Sequence, residues 1–225
     1  MVEDFKTTEA WRIFRIQAEL IDGIETMRNL GPGPAVTVFG SARTQPDSPY
    51  YMAAVLVAEK LSKHGISVIT GGGPGIMEAA NRGCFRHGGH SIGLNVDLPF
   101  EQRSNDYQNV SLTFRYFFVR KLMFVKYADA IIIFPGGFGT LDELFEALTL
   151  VQTRKMPKVP IILFGSTYWA GLKQWLAHTV LGEASISRSD LDLMEIEDDP
   201  DRVVARVLRF MEDHKQLCFI DAQME

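Results

Sequence analysis

The chain has 225 residues, 46% of them apolar, and a formal net charge of −5 at pH 7. This length can bury one large core, and the acidic balance argues against a surface that coats nucleic acid. The two cysteines, Cys84 and Cys218, lie in no disulfide or zinc spacing, so neither a disulfide framework nor a metal site is expected.

Targeting signals are not apparent in the sequence. No stretch reaches the length of a membrane span, and the first residues carry acidic groups instead of an apolar signal core. We therefore expect a cytoplasmic protein with no membrane or nucleic-acid partner and no metal.

The segment before residue 31 predicts a helix that lies outside the pattern of the rest. Thr7 or Thr8 can cap it. Apolar residues follow at helical spacing, namely Trp11, Phe14, Ala18, Ile21, Ile24 and Met27. The helix ends before a Gly-Pro-Gly-Pro stretch. We expect residues 1–31 to form an N-terminal extension that packs on the edge of the domain or on a partner subunit.

From residue 35 to residue 214, short apolar runs alternate with helical segments. The predicted strands are 35–39, 67–70, 91–95, 111–114, 131–134 and 160–164, with a short last strand within 191–196. The predicted helices are 49–64, 76–87, 116–127, the segment after residue 139, 168–178 and 200–214. Residues 97–110 are polar and irregular, as in a flap or rim loop. This alternation predicts one domain, 1–225, with an α/β fold: a Rossmann-like, doubly wound parallel sheet covered by helices on both faces.

Three glycine-rich turns, 40–43, 71–75 and 136–139, follow the carboxyl ends of predicted strands. Ligands of such sheets bind at these ends, where the strand order reverses. Glycine lets the backbone approach an anion, and a following helix supplies free N–H groups. Turn 71–75 matches neither the dinucleotide fingerprint nor the Walker loop, so it is either a phosphate cradle or a tight turn. The candidate binding glycines and serine are Gly40, Ser41, Gly72, Gly73, Gly136, Gly137 and Gly139.

Five polar side chains near these turns can carry chemistry. The hydroxyl of Thr140 can bond a phosphate oxygen. Glu143 is either a functional carboxylate or the last member of a T-x-x-E capping box, and Glu78 is either functional or an acid that stabilises a helix start. Arg120 and Lys121 interrupt an apolar helix, so they need a counter-charge or a ligand, unless they form a salt bridge or a solvated face.

Residues 135–143, PGGFGTLDE, resemble the PGGxGTxxE motif of the LONELY GUY (LOG) family. That family consists of cytokinin riboside 5′-monophosphate phosphoribohydrolases, once labelled lysine decarboxylases. The Arg120-Lys121 pair, the segment 71–78 (GGGPGIME) and the Gly40-Ser41 turn resemble its other motifs in the same order. The resemblance covers residues 35–175. It implies hydrolysis of the N-glycosidic bond of a purine or cytokinin nucleoside 5′-monophosphate, of the AMP nucleosidase type, without a cofactor.

The resemblance also implies roles for the candidate residues. Arg120 and Glu143 would be the catalytic pair, with Glu143 either orienting water or stabilising the ribosyl cation. The turn 136–139 and Thr140 would hold the phosphate, and Glu78 would reach the base or ribose. A homodimer or higher homo-oligomer would form with its sites near the dimer interface. Phe118 and Val119 replace a histidine and an acid that many relatives carry, which bears on base recognition.

Two other functions compete with hydrolysis. A lysine decarboxylase would need pyridoxal phosphate on a lysine, and neither Lys121 nor Lys126 has a suitable context. A nucleotide or molybdenum-cofactor carrier would share the fold and the glycine turns without cleaving its ligand. The presence of both Arg120 and Glu143 favours the hydrolase.

Overall fold

The computed structural model describes residues 9–31, 33–97 and 104–221. The strands are β1 Ala35–Phe39, β2 Ser67–Thr70, β3 Ser91–Val96, β4 Val110–Phe114, β5 Ala130–Ile133, β6 Ile161–Phe164 and β7 Glu195–Glu197. The α-helices are α1 Glu9–Asn29, α2 Pro49–Lys63, α3 Ile76–Arg86, α4 Phe117–Lys126, α5 Phe138–Gln152, α6 Ser166–Trp175 and α7 Pro200–Asp221. Across the described ranges, none of these helices is both long enough and apolar enough to cross a membrane.

The strands form one parallel sheet in the order β4-β3-β2-β1-β5-β6-β7. The order reverses between β1 and β5, which pair directly, with Val38 opposite Ile132. In open parallel sheets this reversal leaves a crevice beyond the carboxyl ends of the two strands. The predicted doubly wound α/β fold is therefore confirmed, and the turns after β1 and β5 lie at the reversal.

Each face of the sheet has its own hydrophobic core. Side chains alternate along β5, so that Ile131 and Ile133 point to one face and Ile132 to the other. Helices α1, α4, α5 and α6 cover the first face, and α2, α3 and α7 cover the second. Burial of each such isoleucine contributes about 1.5–3 kcal/mol. Because both faces are covered, the central strands need continuous apolar runs, which is the pattern seen in the sequence.

The predicted end of the chain differs from the structure in two places. Residues Arg188–Leu193 form a 3-10 helix, and strand β7 begins only at Glu195. The cause is a capping box in which Ser187 and Asp190 exchange side-chain and backbone bonds. The last helix also continues to Asp221, beyond the predicted end at residue 214.

Helix α1 packs on the domain through a face that differs from the predicted apolar stripe. Trp11, Phe14 and Ile21 are exposed, whereas the face that packs against the core consists of Ile16, Leu20, Ile24 and Met27. The helix carries two apolar stripes, and only Ile24 and Met27 belong to both the predicted and the observed face. The predicted caps, Thr7 and Thr8, lie outside the described residues.

Candidate functional site

A cavity of about 800 Å³ opens at the point where the strand order reverses. Its lining includes Phe39, Gly40, Ser41, Ala42, Arg43, Gly71, Met77, Phe117, Arg120, Phe124, Gly136, Gly137, Phe138, Gly139, Thr140, Leu141, Asp142, Glu143 and Tyr168. This volume is typical of small-molecule sites. The sheet topology thus brings the turns after β1 and β5 together with the carboxyl end of β2.

Backbone hydrogen bonds join the turn after β1 to its two neighbours. The N–H of Ser41 donates to the carbonyl of Pro135, at 3.0 Å, which fixes it to the turn after β5. The N–H of Ile76 donates to the carbonyl of Ser41, also at 3.0 Å, which fixes it to the start of α3. The three predicted glycine turns are therefore held as one unit at this edge of the sheet.

In the second turn, residues 71–75, backbone carbonyls are hydrogen-bonded by other parts of the protein. The carbonyl of Gly72 accepts bonds from Asn105 N and Gln108 Nε2, both at 2.8 Å, and the carbonyl of Gly73 accepts one from Asn105 Nδ2 at 3.0 Å. Neither Gly72 nor Gly73 lines the cavity. The described end of the predicted rim loop thus packs onto this turn, and the structure does not bring these two glycines to the candidate site.

The third turn is open. A Cβ atom built on Gly137 or Gly139 would meet nothing within 4 Å, and neither glycine has a positive φ. The fold therefore does not require glycine at these two positions. The hydroxyl of Tyr168 in α6 donates to the carbonyl of Gly136 at 2.5 Å and also lines the cavity. No motif in the sequence marks Tyr168, because it lies in another helix.

Helix α5 starts earlier than predicted, and this bears on the capping-box interpretation of Glu143. The helix begins at Phe138 with Gly137 as its N-cap, and no side chain bonds at this cap. Thr140 is buried within the first turn instead of capping it. The capping-box interpretation of Thr140 and Glu143 is therefore wrong.

Arg120 is fixed beneath the cavity by backbone carbonyls. Its Nε donates to Leu94 O at 2.7 Å, and its Nη2 donates to Gly71 O at 3.1 Å. The guanidinium carbon lies 5.0 Å from the ring centre of Phe124, a cation–π distance. Burial lowers the pKa of Arg120 to about 10, and the charge of Glu143 opposes that change. The side chain therefore stays protonated at neutral pH.

Glu143 presents a buried carboxylate to the cavity. Its Oε2 atom is buried and has no hydrogen-bond partner among the described residues. Burial raises the pKa of Glu143 to about 7; the charges of Glu146 and Asp142 add to the effect, and those of Lys121 and Arg120 oppose it. A group that titrates near neutral pH beside a buried cation is a candidate catalytic carboxylate.

Lys121 serves as a counter-charge for the carboxylates of α5. Its Nζ lies 2.7 Å from Asp142 Oδ2, 3.1 Å from Glu146 Oε2 and 4.0 Å from Glu143 Oε1. Burial alone would lower the pKa of Lys121, but the bond to Asp142 and the nearby glutamates outweigh it, so the pKa is raised. Lys121 does not line the cavity, and the structure thus favours the salt-bridge alternative for this residue.

Glu78 is bonded to helix α2 and does not line the cavity. Its Oε1 accepts a hydrogen bond from the hydroxyl of Tyr51 at 2.7 Å, and it is absent from the cavity lining. Burial and then Glu78 raise the pKa of Tyr51, against an opposing effect of Arg82. The expected contact of Glu78 with a base or ribose is not supported by this arrangement, in which it anchors α3 to α2.

The fold and the cavity at the strand reversal define a Rossmann-like α/β protein with a candidate ligand site. Within that class, the chain belongs to the LOG family, whose sequence model is described as "possible lysine decarboxylase" and matches residues 77–207.

Two relatives illustrate the range of the family. The chain is 34% identical over 122 residues to a protein of Oryza sativa subsp. japonica named probable cytokinin riboside 5′-monophosphate phosphoribohydrolase LOGL5, covering 53% of this chain and 49% of that one. It is 32% identical over 149 residues to the pyrimidine/purine nucleotide 5′-monophosphate nucleosidase of Escherichia coli K12, covering 59% and 32%. The chain spans about half the length of the plant relatives that it matches.

Among solved structures, the molybdenum cofactor carrier protein of Chlamydomonas reinhardtii is similar, with a TM-score of 0.61 and 21% identity. The match covers 80% of this chain and 99% of that chain. At this identity the likeness shows a shared fold only.

Proposed function

We propose that this protein hydrolyses the N-glycosidic bond of a nucleoside 5′-monophosphate, releasing the free base and ribose 5-phosphate. The observation that carries the proposal is the buried, unpartnered Oε2 of Glu143, which lines the cavity together with the buried cation of Arg120. Membership of the LOG family, and relatives whose names describe this reaction, support it.

In this proposal the phosphate lies at the start of α5. The helix N-terminus offers backbone N–H groups and the positive end of the helix dipole. Gly137 and Gly139 leave open space there. Thr140 and Tyr168 also line the cavity. Gly40 and Ser41 in the turn after β1 also line the cavity, so an anion between the turns after β1 and β5 can contact both turns.

The carboxylate of Glu143 acts at the sugar. Cleavage of this bond passes through a ribosyl centre with oxocarbenium character, and an ionised carboxylate beside it stabilises that charge or orients the attacking water. Water supplies the hydroxyl that ends on the ribose carbon, and the base leaves with a proton. Arg120 keeps a fixed positive charge near the phosphate and favours the ionised form of Glu143.

The remaining expected site residues take supporting roles in this proposal. Lys121 holds the α5 carboxylates in place. Gly72, Gly73 and Glu78 keep the second turn and α3 in position through bonds to the protein itself.

A decarboxylase that uses pyridoxal phosphate does not fit the two lysines of α4. A lysine that forms a Schiff base must lose its proton readily, but Lys121 is held by carboxylates and its pKa is raised. Lys126 is exposed, with its Nζ 5.8 Å from the ring centre of Tyr127, and does not line the cavity. We therefore assign no step to this cofactor.

The experiment that tests the proposal is incubation with AMP, isopentenyl-AMP, GMP and CMP, followed by chromatography of the products. Release of a free base and ribose 5-phosphate supports hydrolysis, and the rates rank the bases, including cytokinin against plain adenine. Binding of all four nucleotides without release of any base would contradict it and favour a carrier protein.

We further propose that a second copy of the chain covers the mouth of the cavity. Large apolar side chains are exposed on α4 and at the start of α5: Phe138 at 93%, Phe118 at 55%, Phe117 at 53% and Leu122 at 46%. Exposed apolar patches of this kind mark interaction surfaces, and Phe117 and Phe138 also belong to the cavity lining.

The change Phe118→Asp is expected to weaken self-association about a hundredfold, because it places a charge in an apolar contact. Light scattering across a concentration series measures the mass. Met52→Asp, at a similarly exposed methionine of α2 on the other face of the sheet, is the matched control. An unchanged mass in Phe118→Asp would place the interface elsewhere.

A further inference from the structure

Helix α4, which carries Arg120, lacks a cap of its own. Its N-cap residue, Tyr116, makes no side-chain capping bond, and its first turn contains no acidic residue. The first N–H groups of a helix need partners from outside it, and the positive end of the helix dipole favours a nearby carboxylate. A carboxylate from another element can meet this need.

Glu19 in α1 brings a carboxylate to the start of α4, where it binds the N-cap residue and the residue before it. The N–H of Arg115 donates to Glu19 Oε1 at 3.1 Å and to Oε2 at 3.2 Å, and the N–H of Tyr116 donates to Oε2 at 3.2 Å. One carboxylate thus binds the two residues that lead into α4, from almost one hundred positions earlier in the chain.

Two further contacts hold α1 along the length of α4. A Cβ atom on Gly23 would lie 3.1 Å from the sulfur of Met123, so the helices approach closely at this glycine. Near the other end, the hydroxyl of Tyr127 donates to the carbonyl of Ile24 at 3.4 Å. Helix α1 is therefore attached at the start, the middle and the end of α4.

Arg120 depends on the start of α4. Its backbone N–H donates to the carbonyl of Tyr116 at 3.3 Å, so the residue that Glu19 binds is also the acceptor for Arg120. If the first turn frays, the guanidinium loses its fixed direction toward Leu94 O and Gly71 O. A displacement of this size at a catalytic group lowers turnover.

We propose that Glu19 is a positioning residue for Arg120, and that the N-terminal helix acts as a brace for the helix that bears it. The proposal rests on the proposed function of Arg120. It assigns to the extension at residues 9–29 a role in turnover, in addition to its role as cover for the core.

The test is Glu19→Ala, with Glu25→Ala on the exposed side of the same helix as the matched control. Loss of a helix cap of this strength is expected to lower kcat for AMP about tenfold while KM changes about twofold or less. Glu19→Gln keeps an acceptor without the charge and is expected to lie between wild type and Glu19→Ala. Glu19→Gln also provides the test if Glu19→Ala does not fold. Glu25→Ala is expected to match the wild type.

Hydrogen exchange separates failure of this inference from failure of the proposed function. In Glu19→Ala the amides of residues 115–120 are expected to exchange faster, while those of α7 stay unchanged. If the wild type releases no base from AMP, the proposed function fails, and exchange in these amides still tests the brace. The proposal for Glu19 is overturned if the amides of residues 115–120 exchange at the wild-type rate. It is also overturned if kcat is unchanged in a variant whose Tm has fallen, and α1 would then only stabilise the fold.

Discussion

The turns after β2 and β5 look alike in the sequence and differ in the structure. Each is rich in glycine, and each is followed by a helix with a glutamate near its start, Glu78 or Glu143. In the second turn the polar groups are bound by the protein: Gly72 O by Asn105 and Gln108, and Glu78 by Tyr51.

In the turn after β5 and the helix that follows it, part of the site lacks a partner among the described residues. Glu143 Oε2 is buried without a hydrogen bond, and Gly137 and Gly139 have open space around them. Buried polar groups are normally paired, so an unpaired carboxylate oxygen in the lining of a cavity is a candidate contact for a ligand. The second turn therefore supports the fold, and we infer that the third binds the ligand.

The largest expected effect comes from exchanging each glutamate for its amide. Glu143→Gln is expected to lower kcat for AMP at least about a hundredfold, because the amide carries no charge to stabilise the ribosyl centre. Glu78→Gln, the same change in the other turn, is expected to alter kcat about threefold or less. Steady-state assays with AMP measure kcat for both variants. An equal loss of kcat in Glu78→Gln would indicate that Glu78 contacts the substrate.

Thermal stability shows whether the loss in Glu143→Gln is catalytic. The folded pKa of Glu143, about 7, exceeds its ordinary value of 4.5, so the folded state binds this proton more tightly than the unfolded state. Ionisation of Glu143 therefore weakens the fold as pH rises from 4.5 through 7. At pH 8, Glu143→Gln is expected to have a Tm equal to or above that of the wild type. A clear fall in Tm would contradict this.

The glycines give the second contrast between the turns. Gly139→Ala is expected to raise the free energy of unfolding by about 0.5 kcal/mol, because alanine suits a helix better. The same change is expected to weaken binding of ribose 5-phosphate about tenfold, since its methyl group fills space that the ligand needs. Isothermal titration and denaturant unfolding measure the two quantities.

Gly75→Ala is the matched change in the second turn. Gly75 has a φ of +68°, and an added Cβ would collide with the backbone of Ser41 and Ala42. Alanine there is expected to lower the free energy of unfolding by about 1–3 kcal/mol. If Gly139→Ala were instead the destabilising change, the glycines of the third turn would serve the fold.

The sequence predicts the fold well because the signals involved are local. Strands buried on both faces need continuous apolar runs, as at Ile131–Ile133, and glycine turns end them. Helix α1 shows the limit. Periodicity finds its apolar residues but cannot decide whether Trp11 or Leu20 faces the core, since both belong to apolar stripes and the choice depends on α4.

The candidate site is predictable only in part for the same reason. The motif at residues 135–143 identifies one wall of the cavity lining, but not the partners of its residues. Tyr51 lies 27 positions from Glu78, and Tyr168 reaches Gly136 from 32 positions away. The spacing of residues along the chain does not predict such contacts. Whether a glutamate is hydrogen-bonded by the protein is therefore seen only in the structure.

The smallest expected effect tests the charges that face Glu143: Arg120 and Lys121 on α4, Asp142 and Glu146 on α5. If the ionised carboxylate is the active form, kcat/KM of the wild type rises with pH through a midpoint near 7, the pKa of Glu143. Glu146→Gln removes a charge that raises this pKa, so the midpoint should fall. Lys121→Met removes one that lowers it, so the midpoint should rise. At pH 6.5 each rate is expected to change about twofold to threefold.

The titration of AMP itself does not disturb this comparison. Its phosphate also ionises near pH 6, but identically for every variant, so differences between midpoints report the protein. Glu183→Gln, at an exposed and distant carboxylate, is expected to leave the midpoint in place. The double change at Lys121 and Glu146 removes opposite charges and should fall between the single variants. If neither single change shifts the midpoint, a group other than Glu143 controls the rate. The contrast between the two turns would then not explain catalysis.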